Sequence, residues 1–573
     1  MEPSDYTQSS SDKDKLAYFQ PGEIVYLVTH RSEQLRDDQI DSLIDWSKNR
    51  AGDPELGDLH LTISRRPGEV LRFPGTPSEL QVKQTEYPPD IRYRSPEVTA
   101  RGPFTLIPAD VKDKDDPTKY VERSRLVDLI IRLDENRRTV DLVDGASLEV
   151  VSPNWLSSPG SEWGGTGGPG GRPTPFKGPR PPDKTQYEFQ LPPKIEAICP
   201  EKDKRGEGVI VAILDTAPCL HDLAAAYEKW QKVDPAGNPP KPHGLIETLL
   251  KPNGPLTVHP ASYEELLRMR SVHLEDHNYK MTDHGLFVAG IIHSIAPAAE
   301  IHLYEVLNPD GVGDLTSIAS GLLKVFESFS GEPLVVNCSL VLNIPLGEYS
   351  QEDLDSPNPD RLIRKVKTVL PLRGHRHKDL DRKLLEYILG DPKWLERIGA
   401  LMEWICDLLF WRGSRVIAAA GNDWSREEDE GRPVARYPAA FNSALGIGAL
   451  PKGQVTTPAG KRETSSYSNL SDAPGDVGVT TLGGEPGEER GVLGIYLGKF
   501  PPPHARRRNT KNWAWWAGTS FATPIITGAT AAVLSALARP ATTEDAIVRM
   551  YGAGAIVNDR TDYQEDLLDV TQG

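Results

Sequence analysis

Beyond about residue 185 the chain alternates short apolar runs with longer helical patterns. The apolar runs include GVIVAILD, EIHLYEVL, PLVVNCSL, SRVIAAAGN and SALGIGAL, and helical patterns such as LTSIASGLLKVFESF and LERIGALMEWICDLLFW stand among them. Apolar strands that alternate with helices are typical of a mostly parallel sheet with helices on both faces. The pattern predicts a doubly wound α/β domain, in which functional side chains gather at the carboxyl ends of the strands.

The residues before this region have patterns of their own. Residues 1–156 combine strand-like segments such as EIVYLVTH with helix-like segments such as SRLVDLIIRLDEN, which predicts a smaller α+β domain. Residues 157–184 are so rich in Gly and Pro that we expect a linker. Because 573 residues exceed one average domain, we predict this N-terminal domain, the linker, and a larger domain over 185–573.

The charge balance argues against several classes of partner. Lys and Arg number 65 against 82 Asp and Glu, and the net charge of −17 opposes binding to nucleic acid or to an anionic membrane. The basic cluster at 373–383, RGHRHKDLDRK, is interpreted as a solvated surface. The N-terminal segment lacks the apolar run of a secretory signal, and no run of about eighteen apolar residues occurs. We therefore expect a cytoplasmic protein.

Cysteine usage agrees with that compartment. The sequence has no CxxC pair, and the cysteines stand mostly among apolar residues, at Cys199, Cys219, Cys338 and Cys406. This usage predicts reduced thiols in the core.

A serine stands among residues of special backbone geometry in GTSFATPIITGATAAVL, which begins at Gly518. A serine hydroxyl is a poor nucleophile at neutral pH, so Ser520 needs a base, a group that orients the base, and donors for an oxyanion. Taken alone, a serine before a helix is often an N-cap, and an aspartate that closes a strand, such as Asp215, is often a turn former. Taken together with the residues below, they predict a catalytic site.

The order of three motifs resembles that of the subtilisin-like serine peptidases. ILDTAP carries Asp215, DHGLFVAG carries His284 and GTSFATP carries Ser520, and the order Asp, His, Ser separates that family from chymotrypsin-like enzymes and α/β-hydrolases. Further segments fall in the family's order: APAAEIHLYEVLNPDGVGDL, VVNCSLV, VIAAAGND, RYPAAFNSALGIGAL and SSYSNLSDAPGDV. The resemblance spans roughly residues 190–540.

The resemblance implies a role for each of four residues. Ser520 would attack the scissile carbonyl, and His284 would take the serine proton and return it to the leaving amine. Asp215 would orient the imidazole, and Asn422 would donate its side-chain amide to the oxyanion beside the Ser520 N–H. The implied activity is that of a serine endopeptidase that needs no cofactor for chemistry. Structural calcium is common among relatives, but no segment here specifies a calcium site.

Two other classes of function compete with this one. A catalytically silent scaffold that binds partners through its clefts is the alternative from another class, although every catalytic position is filled. An esterase is not supported, because no GxSxG elbow surrounds Ser520 and the chain order differs.

The resemblance also implies where substrate binds. An extended peptide would pair with two backbone segments, and by position these are Gly311, Val312 and Gly313 on one side and Ser339, Leu340 and Val341 on the other. Val341 stands where glycine is common, so we expect a narrowed entrance to the pocket for P1, the substrate residue before the scissile bond.

By the same resemblance, Arg436, in RYPAAF, aligns with a small residue that usually forms the floor of the P1 pocket in subtilisin-like peptidases. A guanidinium in a partly dry pocket selects a carboxylate by bidentate hydrogen bonding, which predicts a preference for Asp or Glu at P1. Two alternatives stay open: Asp423 neutralises Arg436, or Arg436 points to solvent.

Three stretches exceed a compact member of the family, near 222–275, 343–390 and 480–510. They form either a lid or exosite beside the catalytic segments or ordinary surface decoration. The N-terminal domain has two interpretations as well. It is an inhibitory propeptide that leaves by self-cleavage, or a permanent sensor that restrains the protease until an activating partner binds. The other expected partners are protein or peptide substrates.

Overall fold

The computed structural model describes most of the chain. The described residues are 19–30, 35–54, 58–66, 69–75, 102–118, 121–142, 145–158, 171–178, 182, 184–231, 244–251, 253–262, 265, 281–342, 387, 392–424, 432–453, 463–471, 478–501, 503–558 and 566–572. The basic cluster at 373–383 and nearly all of the predicted insertion at 343–390 lie outside them.

The N-terminal part is an antiparallel sheet with two helices. Its strands are β1 (Phe19–Thr29), β2 (Leu61–Arg65), β3 (Leu71–Phe73), β4 (Phe104–Asp113) and β5 (Ser147–Ser158), and its helices are α1 (Asp37–Ala51) and α2 (Arg123–Glu135). The strand order is β5-β1-β4-β2, with β3 also paired to β4. The two helices contact each other and the sheet.

The C-terminal part contains the remaining elements. Its strands are β6 (Thr174–Pro175), β7 (Phe189–Gln190), β8 (Ile210–Thr216), β9 (Leu256–His259), β10 (Glu300–Leu307), β11 (Gly313–Asp314), β12 (Leu334–Cys338), β13 (Val341–Leu342), β14 (Val416–Ala419), β15 (Ala444–Leu450), β16 (Gly478–Leu482), β17 (Val492–Ile495), β18 (Trp513–Trp516), β19 (Ile556–Asn558), β20 (Asp566–Leu568) and β21 (Thr571–Gln572). Its helices are α3 (Lys184–Tyr187), α4 (Pro193–Ile198), α5 (Leu220–Gln231), α6 (Gly244–Leu250), α7 (His284–Ile295), α8 (Leu315–Ser328), α9 (Pro392–Trp411), α10 (Thr519–Ala536) and α11 (Thr543–Gly552).

Among the described residues, the main sheet of this part has nine strands in the order β19-β20-β16-β15-β14-β12-β8-β10-β9, and only the β19–β20 pair is antiparallel. In β8, Val211 and Ile213 pack into one apolar cluster with α7 and α10, whereas Ala212 and Leu214 pack into another with α8 and α9. Successive side chains of a strand point to opposite faces, so helices cover both faces of the sheet. The predicted α/β fold is confirmed for this part of the chain.

The N-terminal sheet is also covered on both faces. Residues Ile24 to Val28 of β1 are all buried, although their side chains alternate between the two faces. Helices α1 and α2 cover the sheet from its own part, and α8 and α9 contact β5 from the C-terminal part. The two parts therefore share one apolar cluster, in which Phe104 of β4 packs edge-on against Trp404 of α9 with ring centroids 5.2 Å apart.

Buried polar contacts cross the same interface. The Asp134 carboxylate at the end of α2 accepts hydrogen bonds from Val151 N–H at 3.0 Å and from the Tyr387 hydroxyl at 2.8 Å. Burial raises the pKa of Asp134 above its usual value, although these hydrogen bonds oppose the shift. Asn154 of β5 accepts hydrogen bonds from the backbone N–H and the hydroxyl of Thr316 in the first turn of α8, both at 3.3 Å.

The two ends of the predicted linker carry secondary structure. β5 continues past the predicted boundary at 156 to Ser158, and Leu156 to Ser158 pair with β11 and β13. Further along, Thr174–Pro175 pairs with β18. Both ends of the predicted linker therefore take part in sheets, because Gly- and Pro-rich backbone can still complete the edge of a sheet.

Burial tests the assignment of the cysteines to the core. Cys199, Cys338 and Cys406 are buried free thiols, but Cys219 is exposed, so its assignment to the core is wrong. Cys219 follows the end of β8 in DTAPC, where the chain returns to the surface.

Among the described residues, α10 is the helix long and apolar enough to cross a membrane, and 89% of its apolar window is buried inside the protein.

The contact between the two parts can be tested at Trp404. Trp404→Ala removes a fully buried ring and is expected to lower the free energy of unfolding by about 3–5 kcal/mol. Trp404→Phe should cost less than about 2 kcal/mol, because it keeps most of the packing and removes an indole N–H without an acceptor among the described residues. Urea denaturation of both variants measures this difference, and equal losses would contradict the assigned packing.

Candidate active site

Asp215 and His284 meet at the carboxyl end of β8. Asp215 is the penultimate residue of β8, and His284 is the first residue of α7. His284 Nδ1 lies 2.8 Å from Asp215 Oδ1 and 3.0 Å from Oδ2, and both side chains are buried. Because a carboxylate only accepts, Nδ1 carries the proton and Nε2 is left as the basic nitrogen.

A close approach of helix and strand makes this contact possible. A Cβ on Gly285 would lie 2.2 Å from Thr216 O and 3.0 Å from the Asp215 Cβ, so any side chain there would push α7 away from β8. Thr216 holds the two elements together, since its hydroxyl donates to Met281 O at 2.9 Å and accepts from Gly285 N–H at 3.2 Å. Sequence reasoning did not assign Thr216, although its place between Asp215 and the DHG motif was visible.

Ser520 lies in the first turn of α10, at the same end of the sheet. Its hydroxyl donates to Ser339 O at 3.1 Å, and the Ser339 hydroxyl donates to Ser520 O at 2.8 Å. The residue after it, Phe521, contacts the His284 ring with centroids 5.1 Å apart. Trp516, four residues before Ser520, contacts the same ring edge-on at 5.3 Å. The structure thus places Ser520 next to Phe521, whose ring contacts the His284 ring, at the same end of the sheet as Asp215.

Asn422 follows β14 and faces the turn that precedes Ser520. Its Oδ1 accepts hydrogen bonds from the N–H and the hydroxyl of Thr519, both at 2.9 Å. The side-chain NH₂ is therefore directed away from Thr519 as a donor, and it lies 3.5 Å from where a Cβ on Gly518 would stand. Thr519 is a second residue that sequence reasoning did not assign, although it adjoins the serine in GTS.

Asp283 ties a surface loop to the start of α7. Its Oδ2 accepts hydrogen bonds from Leu497 N–H at 2.7 Å and from Gly498 N–H. Burial raises the pKa of Asp283 to about 6. The loop belongs to the predicted insertion at 480–510, so that insertion lies directly beside His284. Its Tyr496 packs edge-on against Trp516 at 5.9 Å.

The two predicted substrate segments lie on either side of β5. Gly313 pairs with Ser157, while Val341 pairs with Ser158 and Leu342 pairs with Ser157. The Ser157 hydroxyl donates to Val341 O at 2.8 Å. The groove between these segments is therefore filled by the chain's own residues, in an antiparallel arrangement on both sides.

Arg436 is buried, and the next residue along the chain pairs with β13. Its N–H donates to Ala420 O at 2.9 Å, two residues before Asn422, and the next residue, Tyr437, bonds through its carbonyl to Leu342 N–H of β13 at 2.9 Å. The Arg436 Nε donates to Asp423 Oδ2 at 2.6 Å, and the side chain is 2% exposed. The alternative that Arg436 points to solvent is wrong. Its Nη1 and Nη2 have no acceptor among the described residues.

Asp423 is held in place from a second direction. Asn469 Nδ2 donates to Asp423 Oδ2 at 2.7 Å, and Asp423 N–H donates to Asn469 Oδ1 at 2.8 Å. The Arg436 and Asp423 charges therefore balance, while two guanidinium nitrogens stay buried without an acceptor among the described residues. In the described part of the chain, no group of three or more His, Cys, Asp or Glu side chains is arranged to hold a metal ion.

Comparison with known proteins agrees with this geometry. The model of the subtilase family, Peptidase_S8, matches residues 206–573, well over half of the chain. A search of curated proteins gives no match. The matched region spans Asp215, His284, Asn422 and Ser520. The chain belongs to the subtilase family, and it is a subtilisin-like serine endopeptidase.

Proposed function

We propose that this endopeptidase cleaves peptide bonds with Ser520 as nucleophile, His284 as general base, Asp215 as the group that orients the imidazole, and Asn422 as an oxyanion donor. The observation that carries the assignment is the contact of His284 Nδ1 with both oxygens of Asp215. That contact fixes the tautomer in which Nε2 accepts a proton.

The reaction follows from these positions. Ser520 Oγ attacks the carbonyl carbon of the substrate while its proton passes to His284 Nε2, and the carbonyl oxygen becomes an oxyanion. Asn422 Nδ2 and the Ser520 N–H donate hydrogen bonds to that oxygen. When the C–N bond breaks, the leaving amine takes the proton from His284, and Ser520 keeps the acyl group. Water then hydrolyses the acyl-enzyme with His284 again as base.

A catalytically silent binding scaffold is less well supported. Such a scaffold has no need for an amide donor beside the serine, yet the Asn422 oxygen is bonded twice to Thr519, which leaves its NH₂ group available. An inert site also has no need for an imidazole that is locked into one tautomer. Both features order polar groups at a cost in free energy, and chemistry at Ser520 accounts for that cost.

Replacement of the two groups should separate these functions. Ser520→Ala should abolish hydrolysis and labelling by a fluorophosphonate, which reacts only with an activated serine. Asn422→Ala should lower kcat by about 10²- to 10³-fold with a small change in KM, because the donor acts mainly in the transition state. Steady-state hydrolysis of a fluorogenic peptide measures both. Full activity of either variant would contradict the assigned roles.

The N-terminal part is proposed to inhibit the peptidase. The support is that Leu156 to Ser158 complete a sheet with β11 and β13, where the resemblance expects substrate, and that α8 and α9 bury one face of the N-terminal sheet. A substrate that binds by strand addition would have to displace β5. Both earlier interpretations include this inhibition, and they differ in whether the chain is then cut between the two parts.

Purified protein distinguishes the two forms of inhibition. If the N-terminal part is a propeptide, the active chain should be cut within or close to 157–184, whereas Ser520→Ala should stay intact. If it is a permanent regulator, both should stay intact, and the wild type should gain activity only when a partner is added. Intact mass and peptide hydrolysis measure these outcomes. A wild type that is intact and fully active without a partner would contradict inhibition in either form.

Preference for an acidic P1 residue is proposed from Arg436. Two buried guanidinium nitrogens without acceptors cost free energy, and a substrate oxygen would supply the missing bonds. Asp423 already pairs with Nε and balances the charge, so the alternative of neutralisation holds in part. The gain in transition-state binding for a P1 carboxylate therefore comes from hydrogen bonds with the two Nη groups of Arg436. A neutral P1 amide can form some of the same bonds through its oxygen, so its gain is smaller.

Substrates that differ only at P1 test this preference. The wild type should cleave after Glu or Asp at least about tenfold more efficiently than after Leu, with Gln between them. Asp423→Asn should raise the ratio of Glu to Gln, because it removes the balancing charge. Arg436→Met combined with Asp423→Asn should favour Leu without leaving a buried carboxylate unpaired. The measurement is kcat/KM, and the same order of P1 residues in all three enzymes would disprove the role of Arg436.

A further inference from the structure

A short strand from the predicted linker adds to the edge of the strand that leads to Ser520. β18 has β17 on one edge and β6 on the other. Ala514 pairs with Pro175, and Trp515 pairs with Thr174, whose hydroxyl donates to Trp515 O at 3.4 Å. β6 therefore occupies an edge of β18 to which an extended peptide could otherwise be added.

This edge lies on the leaving-group side of the candidate active site. β18 ends at Trp516, four residues before Ser520, and the Trp516 ring contacts the His284 ring at 5.3 Å. His284 is the group that protonates the leaving amine, so substrate residues after the scissile bond lie next to His284 and Trp516. The Trp516 Nε1 donates to Gly171 O at 3.2 Å. The segment that begins at Gly171 therefore lies beside the part of the site where the substrate residues after the scissile bond would bind.

Several independent contacts hold this segment, residues 171–178. Gly171 has φ of +78°, and a Cβ there would lie 3.0 Å from the Cβ of Pro486. The Phe176 ring packs near Trp515 with centroids 6.3 Å apart, and Lys511 Nζ lies 5.5 Å from the Phe176 centroid. Lys177 forms an ion pair with Glu488. All of these partners belong to the C-terminal part, so the attachment of the segment does not depend on the N-terminal sheet.

We propose that residues 171–178 remain bound along β18 in the active enzyme and form a wall that blocks strand-like pairing of the substrate beyond the scissile bond. The inference rests on the proposed function of Ser520 and His284. Substrate affinity then comes from the residues before the scissile bond, which pair with β11 and β13. Extending the leaving group gains little, because the backbone of β18 already pairs with Thr174.

A series of peptides tests the wall directly. The peptides share one sequence before the scissile bond and carry one, two, three or four residues after it. For the wild type, kcat/KM should change by less than about twofold across the series. In Gly171→Ala combined with Phe176→Ala, the displaced segment should free the edge, and kcat/KM should rise by about tenfold from the shortest to the longest peptide.

Gly331→Ala is the matched control, since Gly331 also has a positive φ, of +97°, but no heavy atom lies within 4 Å of where its Cβ would stand. It should keep the flat profile of the wild type. An activated ester, which carries no residues after the scissile bond, and a fluorophosphonate should react equally with all three enzymes. Loss of these two reactions in the wild type, after it has been released from inhibition by the N-terminal part, would refute the proposed function instead. A wild type that already gains about tenfold with leaving-group length, or a double variant that stays flat, would overturn the wall.

Discussion

The hydrogen bond between the buried Asp215 carboxylate and the His284 imidazole is the interaction on which the site depends. A buried carboxylate is costly unless its oxygens are bonded, and here the His284 ring and the Thr216 N–H at 2.7 Å provide those bonds. The absence of a side chain at Gly285 lets α7 start close enough to β8 for the contact to form. Displacement of this helix would move His284 and disturb its contacts with the Trp516 and Phe521 rings, as well as the loop that Asp283 holds.

Unfilled strand edges are the second organising constraint. A peptidase that binds extended chains must keep backbone donors and acceptors available on both sides of its nucleophile, and such edges attract any extended segment. In this chain the segments at hand are its own: β5 lies between β11 and β13, and β6 lies beside β18. The pairing of these strands with the chain's own residues and the proposed pairing with substrate would therefore depend on the same physical property.

The sequence was most informative where one local pattern determines structure. The β8 run predicted a buried strand that ends at Asp215, and the AAAGN and GTS motifs led to Asn422 and Ser520, which the structure brings close. Long-range pairings were not predictable, because nothing local in SSPGS or RPTP indicates which distant strand completes its hydrogen bonds. The orientation of Asn422 by Thr519, the aromatic contacts of His284 and the exposure of Cys219 depend in the same way on tertiary packing.

The N-terminal sheet depends on helices of the C-terminal part to cover one of its apolar faces. Helices α8 and α9 cover its second apolar face, so a severed fragment would expose that face to water. A small domain with a bare apolar face is marginally stable, and a partly unfolded fragment is a good substrate for an endopeptidase. If the N-terminal part inhibits the peptidase as proposed and is released by cleavage, its digestion by the enzyme would make activation irreversible.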